Sequence, residues 1–226
     1  MTVTLLCSLI QIPGPVPLLR VPEIARTQTM QFAVTAGVDT SPARAPVGTW
    51  RLEYRAQTLA GRRGITYVAQ FAFPNGRNVT DSVSVLADGL TPVSERSHQP
   101  TKEMDLQFAE DSVVAEVTDS AGVRRVTTRT RPPYFNSTDT PLVALALAAS
   151  PGVQGVIREY TYEAGGLVDD TVSVQPVSPG LTKVRSATAG AVWIWEIDTH
   201  AHAILRATRR GRSSAAFLEF TRTDLH

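Results

Sequence analysis

Three residues near position 200 have the types and the spacing of a small metal site. Asp198, His200 and His202 alternate along the chain, so an extended backbone would place their side chains on one face. Carboxylate and imidazole groups are common zinc ligands. The preferred interpretation is nevertheless a polar, exposed turn between two strands, because such a trio often arises by chance. The sequence therefore predicts no bound metal or cofactor.

Two pairs of acidic residues have the chemistry used in acid–base or glycosidic catalysis, which needs two carboxyl groups close together. Asp169 and Asp170 are adjacent, so on a strand their side chains would point to opposite faces. Glu159 and Glu163 are four positions apart, and nothing in the sequence fixes the distance between their carboxyl groups. A role at a hairpin edge is the preferred interpretation of both pairs.

The sequence motifs of common enzyme classes are absent. The chain has no Gly-x-Ser-x-Gly, P-loop, Gly-x-Gly-x-x-Gly or His-Glu-x-x-His pattern. Lys and Arg number 22 against 21 Asp and Glu, for a net charge of +1. This balance gives no reason to expect nucleic acid or an anionic membrane as a partner. The sequence predicts a protein that is not an enzyme and does not bind nucleic acid.

Aromatic residues recur at alternating positions of the predicted strands, and Trp193 and Trp195 would share one face. They would either fill the core or line a ligand cavity, since a half-barrel over one helix often encloses more space than its side chains fill. Under the second interpretation, strand aromatics and helix leucines would form the lining. The predicted lining residues are Trp50, Tyr54, Leu142, Leu145, Trp193 and Trp195.

A hairpin pattern occurs twice, about ninety residues apart. Residues 81–85 read Asp-Ser-Val-Ser-Val and residues 170–174 read Asp-Thr-Val-Ser-Val, and each copy continues through a Gly-containing turn into Leu-Thr-x-Val. The repeat predicts one large antiparallel sheet with related halves. The predicted register turns the valines inward (Val83, Val85, Val172 and Val174) and their Ser and Thr neighbours outward (Ser82, Ser84, Thr171 and Ser173).

One helix is predicted, at about residues 139–150. Asp139 can cap it, Pro141 suits its first turn, and an apolar run follows before Pro151 and Gly152. A helix that is hydrophobic all round must be covered on most sides, and the sheet is the available cover. The predicted fold is therefore mainly β: a single large curved antiparallel sheet, as a half-barrel or open barrel, wrapped around one mid-chain helix.

The order of these elements resembles the lipoprotein-carrier fold of the LolA and LolB proteins and, more closely, the bacterial DUF3108 family over roughly residues 45–222. The similarity lies in the hairpin at 81–96, the proline-flanked helix at 140–152, the Trp-x-x-Asp strand at 195–198 and the strand with Ile204-Leu205-Arg206, where the family has a Leu-x-Arg strand. The family has no assigned catalytic residues, so the resemblance implies a fold and no catalytic site.

Residues 1–28 are predicted to form an arm or a remnant targeting segment ahead of a single β domain at 29–226. Four prolines fall at 13, 15, 17 and 22, which is unfavourable for a helix or a central strand. The apolar run at 3–12 would be a signal, an anchor or a first strand. Cys7 is the only cysteine, so no intrachain disulfide forms. No run approaches the roughly 20 apolar residues of a membrane-spanning helix.

Two functions of different classes follow. The first is a non-enzymatic binding module of the bacterial cell envelope or periplasm that holds an apolar or lipid-like ligand between sheet and helix. The second is a structural or assembly protein that docks on an envelope partner through its arm or a sheet edge. An enzyme of unrecognised type is the third and least favoured, because the sequence offers no convergent polar constellation.

Overall fold

The fold is described from a computed structural model, in which residues 27–212 and 214–225 are defined. The predicted arm lies outside these residues apart from its last two positions, and the expected signal, anchor or strand at 1–12 lies wholly outside them. Within the described part of the chain, no helix has the length and apolar character needed to cross a membrane.

The first half of the domain consists of eight strands joined by short turns. They alternate inward apolar and outward polar side chains, as strands with one buried face do. Their bounds are β1 Gln28–Val38, β2 Arg44–Leu59, β3 Arg62–Ala72, β4 Asn78–Leu86, β5 Pro92–Gln99, β6 Lys102–Phe108, β7 Ser112–Asp119 and β8 Gly122–Arg129.

The second half begins with a short strand and the helices, and continues with six more strands. A 3-10 turn, η1 (Ser137–Asp139), leads directly into the helix α1 (Thr140–Ala148). The strands are β9 Phe135–Asn136, β10 Gln154–Thr161, β11 Gly166–Ser178, β12 Leu181–Ala187, β13 Ala191–Asp198, β14 Ala203–Gly211 and β15 Ala216–Arg222.

All fifteen strands belong to one sheet, made of two meanders. One runs from β8 back to β1 and the other from β15 back to β9, and the two are joined where β1 pairs with β15. Every pair is antiparallel except β9 with β10, and β8 and β9 are the two edges, so the sheet is not closed into a barrel. The predicted fold class, a large curved sheet with one helix, is confirmed.

Both predicted hairpins are present, as β4–β5 and β11–β12. They lie on opposite sides of the β1–β15 junction, one in each meander. The four valines predicted to face inward are at most 4% exposed (Val83, Val85, Val172 and Val174). Their four Ser and Thr neighbours are half-buried. The predicted register is confirmed.

The helix lies inside the curve of the sheet and is buried over its whole length, from Thr140 to Ala148. Leu142, Leu145 and Leu147 are at most 4% exposed and belong to a core shared with strands of both meanders. The predicted helix is confirmed, and its uniformly apolar sequence is explained by cover on all sides.

The two ends of the sheet overlap, a feature that the sequence did not predict. Glu159 and Tyr160 are neighbours on β10, so their side chains point to opposite faces, yet both are at most 3% exposed. Glu159 faces the helix side, whereas Tyr160 packs in a second core with residues of β6 and β7 such as Leu106 and Val113. The sheet is therefore curled so that β6 and β7 cover the outer face of β10.

Candidate functional site

A pocket of about 300 Å³ lies between the concave face of the sheet and the first turn of the helix. Its helix side consists of small polar residues and a proline: Ser137, Thr138, Thr140 and Pro141. Its sheet side is largely aromatic: Trp50, Tyr67, Phe71, Trp193, Trp195 and Phe220. The half-buried lining residues occur on both sides, Phe71, Trp193 and Leu218 on the sheet and Ser137 and Thr138 on the helix side, so the pocket opens between them.

Strand alternation builds the aromatic side, because each of its residues occupies an inward position of its own strand. Trp193 stacks on Trp195 with ring centroids 4.7 Å apart, and Trp50 lies edge-on to Phe220 at 5.0 Å. Trp50 also contacts Trp195 across the wall, at 6.3 Å. Such offset and edge-on pairs are favourable beyond the area that they bury, so the wall keeps its shape without polar partners.

The structure brings together three of the six predicted lining residues. Trp50, Trp193 and Trp195 all line the pocket. Tyr54, Leu142 and Leu145 are fully buried in the core and are not part of the lining. Tyr54 stacks on Tyr67, with centroids 5.2 Å apart, and so lies behind a residue that does line the pocket. Ligand contact by the three tryptophans stays a prediction.

The polar end of the pocket is acidic. Asp81 lines it from β4, and Glu95 lies on β5 at 4% exposure. Thr138 donates a 2.8 Å hydrogen bond to Glu95 Oε1, and Asn136 Nδ2 donates one of 2.6 Å to Oε2. Burial outweighs these hydrogen bonds and raises the pKa of Glu95 to about 7. This carboxyl group therefore binds η1 to the sheet and titrates near neutral pH.

Three further carboxyl groups are buried around the start of the helix. Asp139 and Asp170 are fully buried and Glu159 is 3% exposed. Burial raises the pKa of all three, and the neighbouring carboxyl groups add to the rise for Glu159 and Asp139. Thr140 donates to Glu159, and Ser186 donates to Asp170. One oxygen each of Asp139 and Asp170 has no hydrogen-bond partner among the described residues.

This acidic cluster (Asp81, Glu95, Asp139, Glu159 and Asp170) surrounds the helix start without a basic partner. None of its members forms an ion pair in the part of the chain that the structure describes. Nor do the described residues contain three or more metal-ligating side chains arranged to hold an ion. Glu95 can hold a proton up to about neutral pH, and the unpartnered oxygens of Asp139 and Asp170 can accept hydrogen bonds from a donor.

Comparison with known proteins identifies the family. Residues 29–210 match the model of a family described as "Protein of unknown function (DUF3108)". The chain belongs to the DUF3108 family. No curated protein matches. A solved structure that is similar to this DUF3108 protein is a β-barrel-like protein of the domain of unknown function DUF1849 from Brucella abortus, with a TM-score of 0.54 and 12% identity over 92% of this chain and 99% of that one.

These matches confirm the predicted family and a barrel-like fold, and they extend the family match at its start from residue 45 to residue 29. At 12% identity, the Brucella structure carries information on the fold alone. No functional residue is transferred from either match, so the site of this DUF3108 protein is argued from its own geometry.

The three candidate metal ligands, Asp198, His200 and His202, lie in or beside a turn. Asp198 Oδ1 accepts hydrogen bonds from the backbone N–H groups of His200, at 2.8 Å, and Ala201, at 2.9 Å. This is an Asx turn, in which an aspartate side chain holds the backbone that follows it. The carboxylate is thereby engaged in shaping the β13–β14 connection, in keeping with the preferred interpretation of the sequence.

Replacing Asp198 with alanine is expected to lower the free energy of unfolding by about 1 kcal/mol, because two turn hydrogen bonds are lost. Urea denaturation of this DUF3108 protein, with and without zinc and with and without a chelator, measures the effect. His200→Ala is the matched control and should leave stability within about 0.5 kcal/mol of the parent. A zinc-dependent stability that disappears in both variants would contradict the turn role.

The predicted carboxylate pairs are separated in the fold. Asp169 is exposed beside Arg158, 3.8 Å away, whereas Asp170 points inward. Glu163 is exposed beside Lys102, at 3.3 Å, whereas Glu159 is buried. The inward member of each pair instead joins the acidic cluster. Sequence reasoning missed Asp81, Glu95 and Asp139 as site residues. A signal was available for Asp81, because it lies two positions before Val83 on β4 and strand alternation therefore turns it to the same face.

Proposed function

We propose that this protein is a non-enzymatic binding module that holds an apolar or lipid-like ligand between its sheet and its helix. The observation that carries the proposal is the aromatic pocket. Its aromatic side chains are in contact with the pocket space, whereas the rest of the concave face packs against the helix. A pocket that is mostly apolar with a few polar groups at one end is typical of small-molecule sites.

The size of the pocket restricts the ligand. Its volume of about 300 Å³ lies at the lower end of the range of roughly 300–1,000 Å³ found for such sites. One hydrocarbon chain or a compact apolar molecule is therefore favoured over a lipid with several chains. The hydroxyl groups of Ser137 and Thr138 supply the polar contacts that would orient one end of the ligand.

We place this activity in the bacterial cell envelope or periplasm. The support is the resemblance of the curved sheet and inner helix to the lipoprotein-carrier fold, which implies a lipid-like ligand. Native mass spectrometry of gently purified protein tests this proposal directly, since a bound hydrophobic molecule would appear as a defined mass increment. Protein recovered from cell envelopes only in the empty state would count against it.

Filling the pocket is expected to abolish ligand binding. Ala69 lines the pocket and is 7% exposed, so Ala69→Phe would place a ring in the space that the ligand needs. All three tryptophans of the chain line the pocket. Titration of the parent with an uncharged apolar dye such as N-phenyl-1-naphthylamine should therefore shift or quench tryptophan emission, and Ala69→Phe should reduce this response at least about tenfold.

Ala33→Phe is the matched control, because Ala33 is exposed on β1. The control should retain the parent response. A parent that gives no tryptophan response to the uncharged dye or to long-chain apolar compounds, or an Ala69→Phe variant that binds as well as the control, would contradict the proposal.

The alternative function, a structural or assembly protein, is favoured by one observation. Among the described residues, β8 pairs only with β7, and it exposes two apolar side chains, Val123 at 67% and Val126 at 41%. An edge strand of this kind can add a strand from another protein. If this is the function, envelope extracts should yield a partner that the double variant Val123→Lys, Val126→Lys no longer retains, while binding of the uncharged dye is unchanged.

A further inference from the structure

The polar end of the pocket contains acidic groups that form no ion pair among the described residues; Lys102, the basic group that acts on Asp81, is paired with Glu163 at 3.3 Å. Asp81 is half-buried at the pocket surface, with Glu95 and Asp139 behind it. Tyr67 lines the same end, and its pKa is raised well above the ordinary value by burial and by the neighbouring Tyr54, Asp81, Asp139 and Glu95. Among these carboxyl groups, Asp81 is the one that lines the pocket and would meet a ligand.

Acceptor capacity at this end is also unused. Asp139 is fully buried, and its Oδ1 atom has no hydrogen-bond donor among the described residues. Its Oδ2 atom accepts only a long hydrogen bond, 3.4 Å, from the backbone N–H of Asn136. Buried acceptors without donors are rare because each loses its hydration without compensation. Asp139 does not itself line the pocket, so a ligand at this end meets Asp81 and not this oxygen.

The pocket therefore combines two features that recognise an ammonium group. Indole faces attract cations through their quadrupole, and a partly desolvated carboxylate attracts them by charge. Trp50 and Trp195 provide the first feature, and Asp81 provides the second. An anionic head group would meet the same carboxyl groups with repulsion.

We propose that the ligand is a cationic amphiphile, an amine or quaternary ammonium on an apolar chain, with its positive group at Asp81 and its chain along the tryptophans. This inference rests on the proposed function and names the class of its ligand. It excludes fatty acids and other anionic single-chain lipids as the preferred ligands.

A basic group, Arg209, lies beside Trp193 on the side of the pocket away from Asp81. It would favour an anionic head group, so the charge preference of the pocket needs a test. The Arg209 guanidinium carbon is 5.8 Å from the centroid of the Trp193 ring, and Arg209 pairs with Trp193 across β13 and β14. An anionic head group placed on that side of the opening would be attracted to it. The preference of the pocket is therefore decided by whether Asp81 or Arg209 faces the ligand head.

The test compares three probes of equal chain length, dodecylamine, dodecanol and dodecanoate, below their micelle-forming concentrations and at neutral pH. Tryptophan emission of the full chain reports binding. We expect dodecylamine to bind at least about tenfold more tightly than dodecanol, and dodecanoate to bind least well. Asp81→Asn should reduce the affinity for dodecylamine to that for dodecanol, while the retained dodecanol affinity shows that the variant is folded.

Asp169→Asn is the matched control, since Asp169 is an exposed carboxylate outside the pocket. It should leave all three affinities unchanged, and Arg209→Gln should leave their order unchanged. Dodecanol binding as tightly as dodecylamine, or a dodecanoate preference that Arg209→Gln removes, would overturn the inference and leave the proposed function standing. Failure of all three probes to bind would refute the proposed function itself.

Discussion

Replacing Leu145 with aspartate is expected to lower the free energy of unfolding by about 5 kcal/mol or more. Leu145 is 4% exposed within the apolar core around the helix. Truncating a buried leucine costs roughly 2–5 kcal/mol, and an unpaired charge or polar group in its place adds several more. Because domains are typically stable by only about 5–15 kcal/mol, much of the variant should be unfolded at 25 °C.

Urea denaturation followed by circular dichroism measures this loss. Ser150→Asp is the matched control, because Ser150 is exposed just beyond the helix, and it should change stability by less than about 1 kcal/mol. A Leu145→Asp protein as stable as this control would show that the helix is not part of the core.

Replacing Glu95 with glutamine is expected to stabilise the protein at pH 8, by roughly 3 kcal/mol, and to leave it nearly unchanged at pH 4. Burial raises the pKa of Glu95 from 4.5 to about 7 in the folded state. The contribution of protonated Glu95 to the free energy of unfolding is therefore fully present below pH 4.5 and is lost as pH rises towards 7. One pKa unit corresponds to about 1.4 kcal/mol. Glutamine mimics the protonated acid and does not titrate.

The pH dependence of the free energy of unfolding between pH 4 and 8 measures this effect. The parent should lose stability across that range, and Glu95→Gln should lose markedly less. Some loss should persist, because burial also raises the pKa of Asp139 and Glu159. Glu103→Gln, at an exposed carboxyl on β6, is the control. A variant less stable than the parent at pH 8 would mean that the ionised carboxylate stabilises the fold.

The hairpins and the helix could be predicted because their signals are local. Period-two alternation fixes which valines of β4 and β11 face inward, whichever strands later pair with them. The uniformly apolar run at 142–149 requires cover on all sides, and this requirement alone indicates a curved sheet. The aromatic wall followed from the same alternation in β2 and β13.

The acidic cluster could not be predicted because it depends on a register shift and on long-range packing. In β5, Pro92 pairs with Val85 and Glu95 with Val83, so both face inward although they are three residues apart. This arrangement needs a β-bulge at Val93, which no local pattern indicates. Glu159 is likewise buried by long-range packing, on the helix side of β10, and Tyr160 beside it is buried because the sheet ends overlap.

The junction of the two meanders governs when the fold can be completed during synthesis. Gln31 and Asp224, which flank this junction and are joined by a hydrogen bond, are 193 positions apart in the chain. Contacts of such high sequence separation form late and slow the folding of β proteins. Until the ribosome has released β15, β1 has a partner on one side only, and its free edge can pair with other chains. The nascent protein is therefore most exposed to aggregation just before translation of its last strands, and that interval is when a chaperone would protect it most.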